Sequence, residues 1–178
     1  MKIVDTKCNG VKLIHCFSSF DPRGGFTKIF NDLDYKAAGI NVEINETYYS
    51  VSNKNVIRGL HFQLPPYEHA KIVHIIKGSV IDVLLDLRKS SDTYGKVYQF
   101  ALSGEEPMAL YIPVGFAHGF RTMEDNTLML YQVSSIYEKK SDTGVLFSSI
   151  DYDWDIGNPI VSERDMSFVK FEDFDSPF

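Results

Sequence analysis

Cysteine is scarce: Cys8 and Cys16 are the only two in 178 residues. That excludes a disulfide-stapled fold, and no charged-then-apolar signal pattern opens the chain, so a reduced cytosolic protein is expected. Basic residues are not in excess. Lys and Arg number 18 against 24 Asp and Glu, a formal net charge of -6, which argues against a general nucleic-acid binder. No stretch approaches the roughly 20 apolar residues of a membrane-spanning helix. Repeats, low-complexity tracts and linkers are also missing. The 44% hydrophobic content of the 178 residues is that of one ordinary globular domain over 1–178 with a substantial core.

Several chemistries lack their residues. No glycine-rich loop precedes a helix to cradle phosphate. Neither cysteine has a histidine-framed context, and there is no serine elbow. A metal site in a small β-barrel wants a second histidine two residues after the first, with a glutamate soon after; here Phe62 and Gln63 follow His61. His61, His69, His74 and His118 show no close pairing of that kind, so neither metal nor cofactor is expected.

What the chain has is strand. Short apolar runs rich in β-branched and aromatic residues recur between turn residues: 11–17, 47–51, 71–76, 80–87, 97–102, 110–112 and 128–133. Asp21-Pro22-Arg23-Gly24-Gly25 reads as a turn, and Lys77-Gly78 closes a hairpin. Helix signals are confined to residues 30–38, ahead of Gly39, and to a turn or two in the acidic C-terminal quarter. Many short strands with little helix give an all-β barrel, sandwich or jelly roll.

The run Arg58-Gly59-Leu60-His61-Phe62-Gln63 carries the chemical signal. Histidine is suited to take a proton near neutral pH, and a glycine between Arg58 and His61 lets the backbone bend. Ten residues past His61, Lys71 opens a strand that is apolar on both faces. A buried ammonium there needs an anion, or an oxygen about to become one, as partner. Pro113-Val114-Gly115-Phe116-Ala117-His118-Gly119-Phe120 reads as a tight turn presenting His118. Tyr131 sits mid-strand, either as core or with its hydroxyl aimed into a pocket. Tyr137 suits core, turn or a stacking platform.

Six blocks then follow one another in order: 58–63, Lys71, 82–88, 91–95, 112–120 and Ser162-Glu163-Arg164-Asp165. In these the chain resembles the dTDP-4-dehydrorhamnose 3,5-epimerases over nearly its whole length. The resemblance implies a cupin-like jelly-roll barrel, a homodimer whose first strand crosses to the partner, and no metal. It implies a nucleotide-diphosphate 4-keto-6-deoxy-sugar substrate inverted at C3, C5 or both. Hydrogens on those carbons are acidic because each lies α to the C4 ketone. By this likeness His61 is the base, Asp165 orients it, Lys71 stabilises the enolate and Tyr131 returns a proton from the far face. His118 lines the sugar pocket, Arg23 and Arg58 meet the pyrophosphate, and Phe26 and Tyr137 pack on base and sugar. Arg164 and Asp142 stand where the family often has lysine and glutamate.

The recognition residues depart from the family pattern. Glu46-Thr47-Tyr48 replaces a usual glutamine-aspartate-asparagine, and Lys28 a usual glutamate, so the substrate-contacting set is expected to differ more than the catalytic one. Another nucleotide (cytidine or guanosine), single-centre epimerisation and 3,4-ketoisomerisation stay open. Outside the class stand a non-catalytic sugar-binding barrel and a metal-dependent oxygenase.

Overall fold

The computed structural model describes residues 1–178. Its strands are β1 (Lys2–Asp5), β2 (Lys12–His15), β3 (Phe17–Asp21), β4 (Gly24–Lys28), β5 (Glu46–Ser52), β6 (Ile57–Gln63), β7 (Lys71–Lys77), β8 (Ser79–Asp86), β9 (Val97–Ser103), β10 (Met108–Ile112), β11 (Phe116–Thr122), β12 (Thr127–Val133) and β13 (Asp142–Gly144). Helix is limited to α1 (Asp32–Ala37), α2 (Glu163–Met166) and two single 3-10 turns. None is long and apolar enough to cross a membrane.

A six-stranded sheet in the order β1-β2-β10-β7-β12-β5 faces a five-stranded sheet in the order β13-β6-β11-β8-β9. Within both sheets neighbouring strands are antiparallel. Consecutive strands repeatedly switch sheets, which makes the two layers a cupin-like jelly roll. The third sheet is a ribbon of β3 and β4 alone.

The period of two decides what lies between the layers. On β7, Val73 and Ile75 point inward, where they meet Val80 and Leu84 of β8, Phe116 and Phe120 of β11, and Met129 of β12. Alternate residues of the smaller sheet, Val83, Leu85 and Ala117, point outward and are covered by Phe147, Ile150 and Trp154. The outward face of the larger sheet, Ile14, Ile72 and Ala109, packs on Tyr35 of α1 and on Ile40. Asn31 caps α1, its side-chain oxygen accepting from the Leu33 and Asp34 amides. With both of its faces covered, β7 is buried from Lys71 to Ile75.

Four local outcomes differ from the sequence reading. Lys77-Gly78 closes no hairpin, because β7 and β8 do not pair and fall in different sheets. The strand expected over 11–17 is broken at Cys16, whose amide bonds the Pro107 carbonyl, so β2 and β3 belong to different sheets. The turn expected around His118 ends at Gly115, where φ is +90°; His118 lies inside β11. Residues 57–63 form an unforeseen strand. Along β6 two residues lie between the partners Arg58 and His61, whereas only one lies between His118 and Phe120 on β11. The extra residue makes a bulge at Gly59, with φ of +125°, and the bulge turns both Arg58 and His61 inward.

Candidate active site

One end of the barrel interior opens as a cavity of about 350 Å³ lined from both sheets. The smaller sheet supplies Arg58 and His61 from β6 and His118 from β11; the larger supplies Glu46, Tyr48 and Ser50 from β5, Lys71 from β7, and Tyr131 from β12.

His61 Nε2 lies 2.9 Å from Asp165 Oδ1. The other oxygen of Asp165 accepts the Gly59 amide at 3.0 Å, so one carboxylate fixes both the bulge and the imidazole. Asp165 is placed by α2, capped by Ser162 Oγ accepting the Asp165 amide at 3.1 Å. Burial pushes against ionisation, but the hydrogen bonds from His61, Gly59 and Ser162 hold the Asp165 carboxyl below its usual value. As a carboxylate it can only accept, so Nε2 carries the proton and Nδ1 is left with a free lone pair. Burial lowers the His61 pKa despite Asp165, with Lys71 and Arg164 adding to the effect. The ring is therefore neutral at pH 7 and able to take a proton.

Lys71 is 6% exposed and makes one hydrogen bond, donating to the His61 carbonyl at 3.1 Å. Burial lowers its pKa to about 8, against the pull of Asp142 and Asp82. It stays mostly cationic at neutral pH, and its remaining donors have no partner within the protein. His118 pairs with Asp82 at 2.8 Å, both of them buried. The Tyr131 hydroxyl is 3.1 Å from Ser50 Oγ, and burial pushes the phenol well above its ordinary value. Arg58 is braced by donating to Ser52 Oγ at 3.0 Å and to the Val51 carbonyl at 3.3 Å. Arg164 donates to Asp142 at 2.6 Å and lies over the Phe168 ring. Glu46 accepts the Tyr137 amide at 2.7 Å, which ties Tyr137 to the cavity mouth. No group of three or more His, Cys, Asp or Glu stands close enough to hold a metal ion.

Ten sequence-predicted residues therefore line one cavity, with Asp165 directly behind His61: Glu46, Tyr48, Arg58, His61, Lys71, His118, Tyr131, Tyr137, Asp142 and Arg164. Four lie elsewhere on this chain. Thr47 sits on β5 between Glu46 and Tyr48 and so on the opposite face. Arg23, Phe26 and Lys28 belong to the β3–β4 ribbon, where the Arg23 side chain is 90% exposed and paired only with Asp21.

Sequence reasoning missed His69. Gln63 Oε1 accepts the Glu138 amide, so Gln63 Nε2 is the donor end that meets His69 Nδ1 at 3.2 Å. Nδ1 must then be the acceptor, and the His69 proton sits on Nε2, which is buried and unpartnered. Burial, helped by Lys71 and His118, lowers the His69 pKa to about 3. Its position two residues before Lys71 was the available signal, because a period of two puts both on one face.

A jelly-roll barrel with a carboxylate-backed neutral imidazole, a buried ammonium and a buried phenol around one cavity defines an enzyme of proton transfer, able to take a proton and to hold the oxyanion that results. Residues 5–173 match the family model described as dTDP-4-dehydrorhamnose 3,5-epimerase. A Shigella flexneri protein of that name is 39% identical, with 98% of each chain covered. The solved epimerase of Legionella pneumophila, in complex with dTDP-4-keto-L-rhamnose, superposes with a TM-score of 0.92 at 30% identity, covering 98% of this chain and 94% of that one. The Bacillus anthracis enzyme, with TDP and PPi bound, gives 0.91 at 32% identity over 95% and 98%. The chain belongs to the dTDP-4-dehydrorhamnose 3,5-epimerase family.

Proposed function

We propose that residues 1–178 form one epimerase domain that inverts C3 and C5 of a dTDP-linked 4-keto-6-deoxy sugar, without a metal or cofactor. The observation that carries this reading is the neutral His61 imidazole, backed by Asp165, in the same cavity as the Lys71 ammonium. His61 Nδ1 takes the proton from a carbon α to the C4 ketone. The C–H electron pair moves into the ring and onto the ketone oxygen, and Lys71 pairs with that oxyanion as it forms. Tyr131 gives its hydroxyl proton to the opposite face of the same carbon. The resulting phenolate and imidazolium return to their starting states by proton exchange with solvent, so the net change is one inverted centre. Repetition at the second α carbon inverts the other. Arg58 meets the diphosphate, His118 lines the sugar, and Tyr137, at the mouth, packs on the base.

Two copies make the working enzyme in this reading. The ribbon supports it: Phe17, Phe20 and Phe26 are 53%, 76% and 58% exposed on a two-stranded sheet paired to nothing else in the chain. Carried across to a partner, the ribbon brings Arg23, Phe26 and Lys28 to the partner's cavity. Two unpaired cysteines agree with a cytoplasmic location.

The test is proton NMR in deuterated water with dTDP-4-keto-6-deoxyglucose and its CDP- and GDP-linked counterparts. Deuterium is expected at both C3 and C5 of the dTDP sugar while the ketone stays at C4. Incorporation at one carbon only limits the enzyme to a single centre. A ketone that migrates to C3 replaces the epimerase by a ketoisomerase.

A further inference from the structure

Tyr131 packs on Tyr48. The two residues face each other across β5 and β12, with ring centroids 4.8 Å apart and planes inclined by 19°. Two other contacts hold the same phenol: its hydroxyl meets Ser50 Oγ, and the His118 ring meets it edge-on at 6.3 Å. A single hydrogen bond fixes the distance of a hydroxyl and leaves the plane of its ring free to swing. The stacked Tyr48 ring removes that freedom. Tyr48 is 40% exposed and lines the cavity, so it also covers the side of Tyr131 that water would otherwise reach. Its own phenol is pushed up to about 12 by burial and by Glu46 and Asp142, and it remains neutral at working pH.

Protonation of a ring carbon is sensitive to small misplacement, because carbon must meet the donor within a narrow range of distance and angle. The enolate has two fates. Return of a solvent-exchanged proton from His61 restores the original configuration; delivery from Tyr131 inverts it. Whatever fixes Tyr131 sets the ratio of the two. We propose that Tyr48 is a positioning residue whose stacked ring holds Tyr131 for delivery to the far face, so that an abstracted proton ends in inversion instead of return. The proposal rests on the assignment of Tyr131 as the acid. Tyr48 itself neither gains nor loses a proton.

The experiment measures, in deuterated water, deuterium entering with retained configuration against deuterium entering with inversion, for the wild type, Tyr48→Ala, Tyr48→Phe, Tyr131→Phe and the double variant Tyr48→Ala/Tyr131→Phe. Tyr48→Ala is expected to raise the retained-to-inverted ratio roughly three- to tenfold, the span that corresponds to an aromatic pair contact. Tyr48→Phe keeps the ring and is expected to restore the wild-type ratio. The double variant is expected to match Tyr131→Phe, because Tyr48 acts only through Tyr131. An unchanged ratio in Tyr48→Ala overturns the proposal, as does a Tyr48→Phe ratio equal to that of Tyr48→Ala. A wild type that exchanges no deuterium on any of these sugars overturns the epimerase reading itself, a result the ratio cannot imitate.

Discussion

At the scale of single residues, two pKa values, both lowered by burial, define the working range. His61 must be neutral to act as base, and its pKa is displaced below 6.5 by burial. The rate is therefore expected to rise as pH climbs through a region below the ordinary histidine value of 6.5. Lys71 must be protonated to hold the oxyanion, and its pKa is brought down to about 8. The rate is expected to fall again as pH passes about 8. Because kcat/KM reports the free enzyme, its pH profile is the one to measure, and it should be bell-shaped. Lys71→Met is expected to cost about 10²–10³-fold and to erase the alkaline limb in whatever activity remains. His61→Asn, which keeps a polar hydrogen-bonding side chain but no base, is expected to lower exchange at both centres by about 10²–10⁴-fold. An alkaline limb that persists in Lys71→Met assigns it to another group. The same burial that makes Lys71 conspicuous in the sequence thus sets its titration.

At the scale of elements, β6 carries most of what the sequence did not reveal. A glycine and an arginine interrupt its apolar alternation, so 57–63 lacks the pattern of a strand although the residues in it were conspicuous. The interruption is the bulge itself. A Cβ on Gly59 would lie 2.5 Å from Gly119 Cα and 2.9 Å from the His118 carbonyl, and one on Gly119 would lie 2.8 Å from the Arg58 carbonyl. The two glycines let β6 and β11 approach where their two histidines stand opposite each other. Gly119 is thus an extended strand residue, and reading it with Gly115 as one turn misplaced the local structure around His118. Gly59→Ala is expected to cost roughly 2–4 kcal/mol, from the strained φ and the backbone contact together. Denaturant unfolding measures that loss. Activity should fall further than the stability loss explains, because the Gly59 amide also holds Asp165. By contrast β7, β8 and β12 were legible, since covered faces demand unbroken apolar runs. Asp165 was not legible from spacing: it lies 104 positions after His61, and only the fold joins them.

At the scale of the whole molecule, a single chain brings three cations to its cavity, Arg58, Lys71 and Arg164, and Arg164 is already paired with Asp142. A diphosphate carries more charge than Arg58 alone answers. The cation predicted from the sequence to join it, Arg23, is on the ribbon, as is Lys28. A ribbon with three exposed phenylalanines is costly to leave in water, and an isologous pair of copies would cover it twice. If it completes the partner's cavity, defects in ribbon and cavity must complement each other. His61→Asn removes the base from a copy's own cavity; Arg23→Ala removes the cation that copy lends to its partner. In a mixed dimer both defects then fall on the cavity of the His61→Asn copy and none on the other. Co-refolding equal amounts of the two variants, each nearly inactive alone, is expected to recover about a quarter of wild-type activity, since half of the dimers are mixed and each has one intact site. Recovery should follow the mixed species when the dimers are separated by differently tagged copies. If Arg23 serves its own chain instead, the mixed dimer has one defect in each cavity and no activity returns.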